Sequence, residues 1–312
     1  MTRQNPETPK VHRRTVLRAG LAAPAALGLG PIAAHASDQS AQMQVSQSTT
    51  TLPPQYYREA GAGPNVIMTH GTLMNHTMFD SQVDALAPNY HVLSYNLRGS
   101  TDNYGPGYTL NDLADDCSQV ASEFNMQKFV LVGMSMGGFM ALKFALKYPK
   151  RLKGLVLIGA KAQAYTPEEK AAFGPAFDPL DVDGLLPRSF GEFCVPLVWG
   201  PRQAEERPPF VEEWLDYWDT RPARSVYGEY RSWIDKEDLT HRLGEIQVPT
   251  LVVHGAHDAV LPVETCAVPL AEGIPNAELC VVDDAGHTCN VEHPEVVNDA
   301  MLDFLGSLED QD

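Results

Sequence analysis

Six short apolar runs recur along the chain, and this rhythm limits its fold more than any other feature. They are Val66-Ile67-Met68, Val92-Leu93-Ser94-Tyr95, Phe129-Val130-Leu131-Val132, Leu155-Val156-Leu157-Ile158, Thr250-Leu251-Val252-Val253 and Leu279-Cys280-Val281-Val282. Runs rich in β-branched residues and free of charge are the pattern of strands buried on both faces. Helical patterns over about 110–124, 138–147, 262–271 and 294–308 alternate with them. That alternation predicts an α/β fold with a mostly parallel sheet and helices on both faces. A chain of 312 residues, 44% hydrophobic and 20% charged, can bury such a core without disulfides.

One stretch breaks the rhythm. Between Ile158 and Thr250 no strand pattern appears, and half of the chain's aromatic residues, including all four tryptophans, fall in 160–240. Prolines at 187, 196, 201, 208, 209 and 222 would keep helices there short. A structureless loop of this length is improbable in a compact domain. The expectation is a helical cap over 160–239, inserted into a core formed by 54–159 and 240–308.

The first residues have a different character. Lys10, Arg13, Arg14 and Arg18 precede the Ala/Gly-rich run from Ala19 to Ala34, and Ala34-His35-Ala36 supplies small residues for cleavage. This order describes an export signal over 1–36, too short and interrupted for a spanning helix. Arg13-Arg14 with Leu17-Arg18 resembles a twin-arginine signal, although His12 and Val16 depart from it. Residues 37–53 are polar and aperiodic and read as a flexible linker. The expected localisation is therefore periplasmic or extracellular, without a stable membrane anchor.

Cleavage after Ala36 would remove Arg3, Lys10, Arg13, Arg14, Arg18 and Glu7, taking the formal charge from −17 to −21. A surface so acidic argues against nucleic acid as a partner. The five cysteines, Cys117, Cys194, Cys266, Cys280 and Cys289, match no metal spacing. Their odd number prevents complete pairing. Buried free thiols are expected, with two bridges and one free thiol as the alternative.

The chemistry-bearing motif is Gly133-Met134-Ser135-Met136-Gly137, placed directly after an apolar run and before a helical pattern. Glycines around a serine at such a boundary permit a tight turn, or a bend that holds the serine out as a nucleophile. A serine nucleophile needs a base, and a histidine base needs a carboxylate. Asp258 follows the run at 250–253, and His287 follows the run at 279–282, so both should reach the sheet edge that carries Ser135. His254 reads as a packed, hydrogen-bonded residue. His257 is a weaker rival base, and Asp283 and Asp284 are rival acids that lie too near His287 in sequence.

From Tyr56 to Leu308 the chain resembles the α/β-hydrolase superfamily, with similarity to esterases, lactonases and cofactor-free haloperoxidases. The resemblance implies Ser135 as nucleophile, Asp258 as acid and His287 as base. It also implies an oxyanion hole formed by the backbone N–H groups of Thr72 and Met136, the former in the loop Thr69-His70-Gly71-Thr72-Leu73. Asn96-Leu97-Arg98-Gly99-Ser100 departs from the Asp-x-Arg-Gly-His pattern of many relatives. The serine disfavours haloalkane dehalogenase and epoxide hydrolase chemistry, which use an aspartate nucleophile in this fold. The implied activity is hydrolysis of a small or medium carboxylic ester or lactone, with no metal or organic cofactor. Perhydrolysis and C–C bond hydrolysis use the same triad, and ligand binding without turnover is the alternative outside enzymology.

Overall fold

The computed structural model describes residues 11–12, 52–102, 104 and 107–309. The expected export signal and linker lie outside the described residues, apart from positions 11–12 and 52–53.

The strands are β1 (Val11–His12), β2 (Tyr57–Ala60), β3 (Asn65–Thr69), β4 (His91–Tyr95), β5 (Phe129–Met134), β6 (Leu152–Ile158), β7 (Thr250–Gly255) and β8 (Ala277–Val282). They form one sheet in the order β1-β8-β7-β6-β5-β3-β4-β2. Every pairing is parallel except that of β2 with β4. All six apolar runs are strands, and β5 and β7 are buried at every position.

The core helices are α1 (Asp80–Leu86), α2 (Leu110–Glu123) and α3 (Met136–Lys147). Alternate residues of β5 face opposite helical layers. The Phe129 ring meets Phe144 of α3 at 5.5 Å. Its neighbour Val130 shares a cleft with Leu305 and Leu308, which belong to the last helix. This alternation covers the sheet on both sides, as its uncharged strands require.

Between β6 and β7 the chain forms α4 (Pro167–Phe177), α5 (Arg188–Val198), α6 (Pro201–Glu206), α7 (Pro209–Asp219) and α8 (Ala223–Ile234). Prolines open α4, α6 and α7, where a missing N–H costs nothing. The start and end of this insertion touch, since Leu239 N donates to Ala162 O at 3.0 Å. The Lys236 ammonium also donates to the carbonyls of Lys161 and Ala162, each at 3.2 Å, and to that of Gln163.

The chain ends with α9 (Ala267–Gly273), α10 (Cys289–Glu292) and α11 (Pro294–Glu309). The helix expected from Pro262 therefore begins later. Residues 263–266 form a turn, in which Cys266 N bonds back to Pro262 O at 2.9 Å. Among the described residues no helix is long and apolar enough to cross a membrane. All five cysteines are buried, and none of them is in a disulfide.

Candidate active site

Ser135 stands between β5 and α3 with φ 51° and ψ −115°, backbone that a side chain rarely adopts. Its N–H is held by Ile158 O at 2.9 Å. The flanking glycines make this bend possible. A Cβ on Gly133 would lie 2.4 Å from Gly137 O, and one on Gly137 would lie 2.3 Å from Thr69 O. The two glycines thus let the start of α3 press against the ends of β5 and β3, and Ser135 projects from the junction.

The parallel sheet carries the remaining groups to the same edge. His287 follows β8, and its Nε2 lies 2.9 Å from Ser135 Oγ. Its Nδ1 lies 2.7 Å from Asp258 Oδ2, in the loop after β7. A carboxylate at this position fixes the proton on Nδ1 and leaves Nε2 to accept from the serine hydroxyl. Asp258 Oδ1 takes the N–H groups of Val260 and Leu261 at 2.9 and 2.8 Å. Burial would raise the Asp258 pKa, but His287 and His254 outweigh it and hold the carboxyl below its usual range.

The other candidates separate from this cluster. His257, Asp283 and Asp284 are exposed, and Asp284 instead meets Arg202 at 2.8 Å. His254 is fully buried, as expected of a packed residue. Its Nε2 lies 2.6 Å from Leu261 O and 3.1 Å from Asp258 Oδ2, so it also steadies the acid.

Thr72 and Met136 meet beside Ser135, where Thr72 Oγ1 lies 3.8 Å from Met136 Sδ. Neither backbone N–H has a protein acceptor among the described residues. The Thr72 loop is braced from below by His70, whose Nε2 accepts from Leu97 N at 2.9 Å. Burial lowers the His70 pKa to about 3, which keeps that nitrogen free to accept.

A cavity of about 60 Å³ opens above Ser135 and His287. Phe139, Tyr165, Phe173, Phe177 and Trp233 supply much of its wall, and Thr72 and Thr288 are its other polar residues. Most of the tryptophans and aromatics of the insertion are buried in its own packing, while Phe173, Phe177, Tyr165 and Trp233 also reach the cavity.

Three features escape sequence reading. Arg221 and Glu229 form a buried ion pair, 2.8 Å apart, that ends at Leu73. Trp233 Nε1 donates to Thr72 Oγ1 at 2.9 Å. Glu292 receives Gly200 N at 2.7 Å and Gly286 N at 2.9 Å, tying the insertion to the residue before His287. Burial pushes its pKa up to about 7 against these donors. In sequence, each looks like one more charged or aromatic residue among many, and no spacing marks it.

Residues 66–300 match the family model described as the alpha/beta hydrolase family. A thermophilic esterase from Thermogutta terrifontis superposes with a TM-score of 0.76 at 30% identity, covering 83% of this chain and 97% of that one. The Agrobacterium fabrum protein named "Putative carbamate hydrolase RutD" is 28% identical over 80% of this chain and 95% of its own length. A non-heme haloperoxidase from Rhodococcus erythropolis is 26% identical, covering 81% and 96% respectively. With its sheet order, its bend at Ser135 and a family match over most of its length, the chain belongs to the alpha/beta hydrolase family.

Proposed function

We propose that the protein is an exported serine hydrolase that cleaves a small or medium carboxylic ester or lactone through an acyl-enzyme on Ser135. The observation that carries this reading is the relay Ser135 Oγ to His287 Nε2 to Asp258 Oδ2, at 2.9 and 2.7 Å, beneath an apolar cavity. Ser135 Oγ attacks the carbonyl carbon while His287 takes its proton, and Asp258 stabilises the imidazolium. The carbonyl oxygen gains charge facing the N–H groups of Thr72 and Met136, each such donor contributing about 3 kcal/mol to the transition state. Collapse expels the alcohol, which takes the proton from His287. Water then repeats the cycle on the acyl-enzyme and frees the acid. The helices over 160–239 serve as a cap, and their aromatic rings suit an apolar acyl group better than a carbamate.

The test is the initial rate on p-nitrophenyl esters of two, four, eight and sixteen carbons, with Ser135→Ala as the comparison. Turnover that falls at least about 1,000-fold in the variant supports the reading, and the small cavity predicts preference for the shorter acyl groups. Equal turnover by both proteins overturns it. The likeness to a haloperoxidase supports a second reaction on the same serine, perhydrolysis. Peroxide consumption that depends on added carboxylic acid and on Ser135 distinguishes it.

A further inference from the structure

The buried ion pair between Arg221, just before α8, and Glu229 of α8 lies outside the triad, yet it ends on the turn that carries Thr72. Glu229 is fully buried and Arg221 is 3% exposed. Glu229 Oε1 accepts from Arg221 Nη2 at 2.8 Å and from Ser100 Oγ at 3.2 Å. Its Oε2 accepts from Arg221 Nη1 at 3.2 Å and from Leu73 N at 3.0 Å. Arg221 Nη2 also donates to Gly99 O at 2.7 Å. A Cβ on Gly99 would strike the Glu229 side chain at 2.3 Å, so the loop at 99–100 closes directly over the carboxylate.

One turn along the same helix, Trp233 donates to the Thr72 hydroxyl. Residues i and i+4 of α8 therefore grip two consecutive residues of the turn. Leu73 has φ +71°, a strained conformation for leucine that persists only when its surroundings impose it. Two contacts hold the turn there: Leu73 N on Glu229, and Met74 N on Gly71 O at 3.3 Å.

We propose that Glu229 is a positioning residue for the oxyanion hole, holding the peptide that follows Thr72 so that the Thr72 N–H points at the reacting carbonyl. Arg221 neutralises the carboxylate so that no uncompensated negative charge sits beside the oxyanion. The insertion thus helps build the catalytic apparatus in addition to covering it. This inference rests on the acyl-transfer reading of Ser135.

A simple packing role for the pair would alter stability alone. The test is therefore the rate at which an alkyl p-nitrophenyl phosphonate labels the protein, followed by p-nitrophenolate release, with Ser135→Ala as blank. Glu229→Gln should label about 10- to 100-fold more slowly, with the release amplitude per folded protein unchanged. A trifluoromethyl ketone, which binds as an oxyanion, should weaken by a similar factor, while the matching methyl ketone stays within twofold. Glu229→Gln strands a buried charge and can fail to fold, so Arg221→Met with Glu229→Leu removes the Leu73 acceptor without doing so. Wild-type labelling rate and trifluoromethyl ketone affinity in the folded double variant, which has no side-chain acceptor left for Leu73 N, overturn the proposal. A wild-type protein that is not labelled overturns the acyl-transfer reading first, which is a separate failure.

Discussion

His254 and His287 approach the same oxygen of Asp258, at 3.1 and 2.7 Å. His254 Nε2 also lies 2.6 Å from Leu261 O, an acceptor, so that nitrogen carries the proton and is shared between carbonyl and carboxylate. His254→Phe keeps the ring and removes this N–H. The expected result is a kcat about tenfold lower with KM little changed, from a loosened Asp258. Asp258→Asn should lose about 10⁴-fold, as the His287 tautomer is no longer imposed. Steady-state kinetics on p-nitrophenyl butyrate separate the two.

The glycines at the serine bend differ sharply from those elsewhere. Gly137→Ala forces a methyl within 2.3 Å of a backbone carbonyl, and should destabilise the protein by about 3 kcal/mol or more. Gly244→Ala has nothing within 4 Å and should stay within about 0.5 kcal/mol of wild type. Urea denaturation midpoints measure both.

Glu292 predicts a direction for stability against pH. Its folded pKa of about 7 lies above the ordinary 4.5, so between these values the folded chain holds a proton that the unfolded chain releases. This contribution to stability is full below about pH 4.5, declines as pH rises, and is gone above about pH 7. Asp258 works in the opposite sense and at lower pH: its depressed pKa contributes above the ordinary 3.8 and is lost on further acidification. Urea midpoints at pH 5 and pH 8 should therefore differ less in Glu292→Gln than in wild type. An unchanged difference would contradict the assignment.

All five thiols are buried, and burial raises Cys117 and Cys194 to about 12. A thiolate is the reactive species, so the native protein should resist a thiol reagent for hours. Unfolding in guanidinium should release five equivalents at once. Three equivalents or fewer would mean that disulfides form.

Phe173 is half-buried and lines the cavity against Tyr165 and Trp233. Phe173→Ala should open room at that wall and move the best p-nitrophenyl ester towards longer acyl chains. The ratio of kcat/KM for eight and two carbons is the measurement, with a rise of about tenfold expected.

The strands of the sheet centre were legible because each is buried on both faces and so carries an uninterrupted apolar run. β2 was not, since Tyr57-Arg58-Glu59-Ala60 is an antiparallel edge strand with polar side chains towards solvent. Helix α1 is only seven residues long, too short for periodicity to show. Ser135, Asp258 and His287 could be read because each follows a legible strand. Arg221, Glu229 and Glu292 could not, because charged residues are ordinarily exposed and only contacts across distant segments bury the first two and half-bury the third. The His254 contact with Asp258 was missed for a related reason: four residues apart across a loop, the two meet only through the fold of residues 258–261.

The chain leaves the sheet after Ile158 and returns before Thr250, and its outgoing and incoming ends are fastened to each other at Ala162, Lys236 and Leu239. Such a closed neck makes the segment exchangeable: another peptide with the same two ends could be grafted there while β6 and β7 kept their register. A graft would have to meet one condition that the neck does not state. The replacement must bring its own acceptor to the N–H of Leu73, so the substrate range of this scaffold and its chemical competence are inherited together.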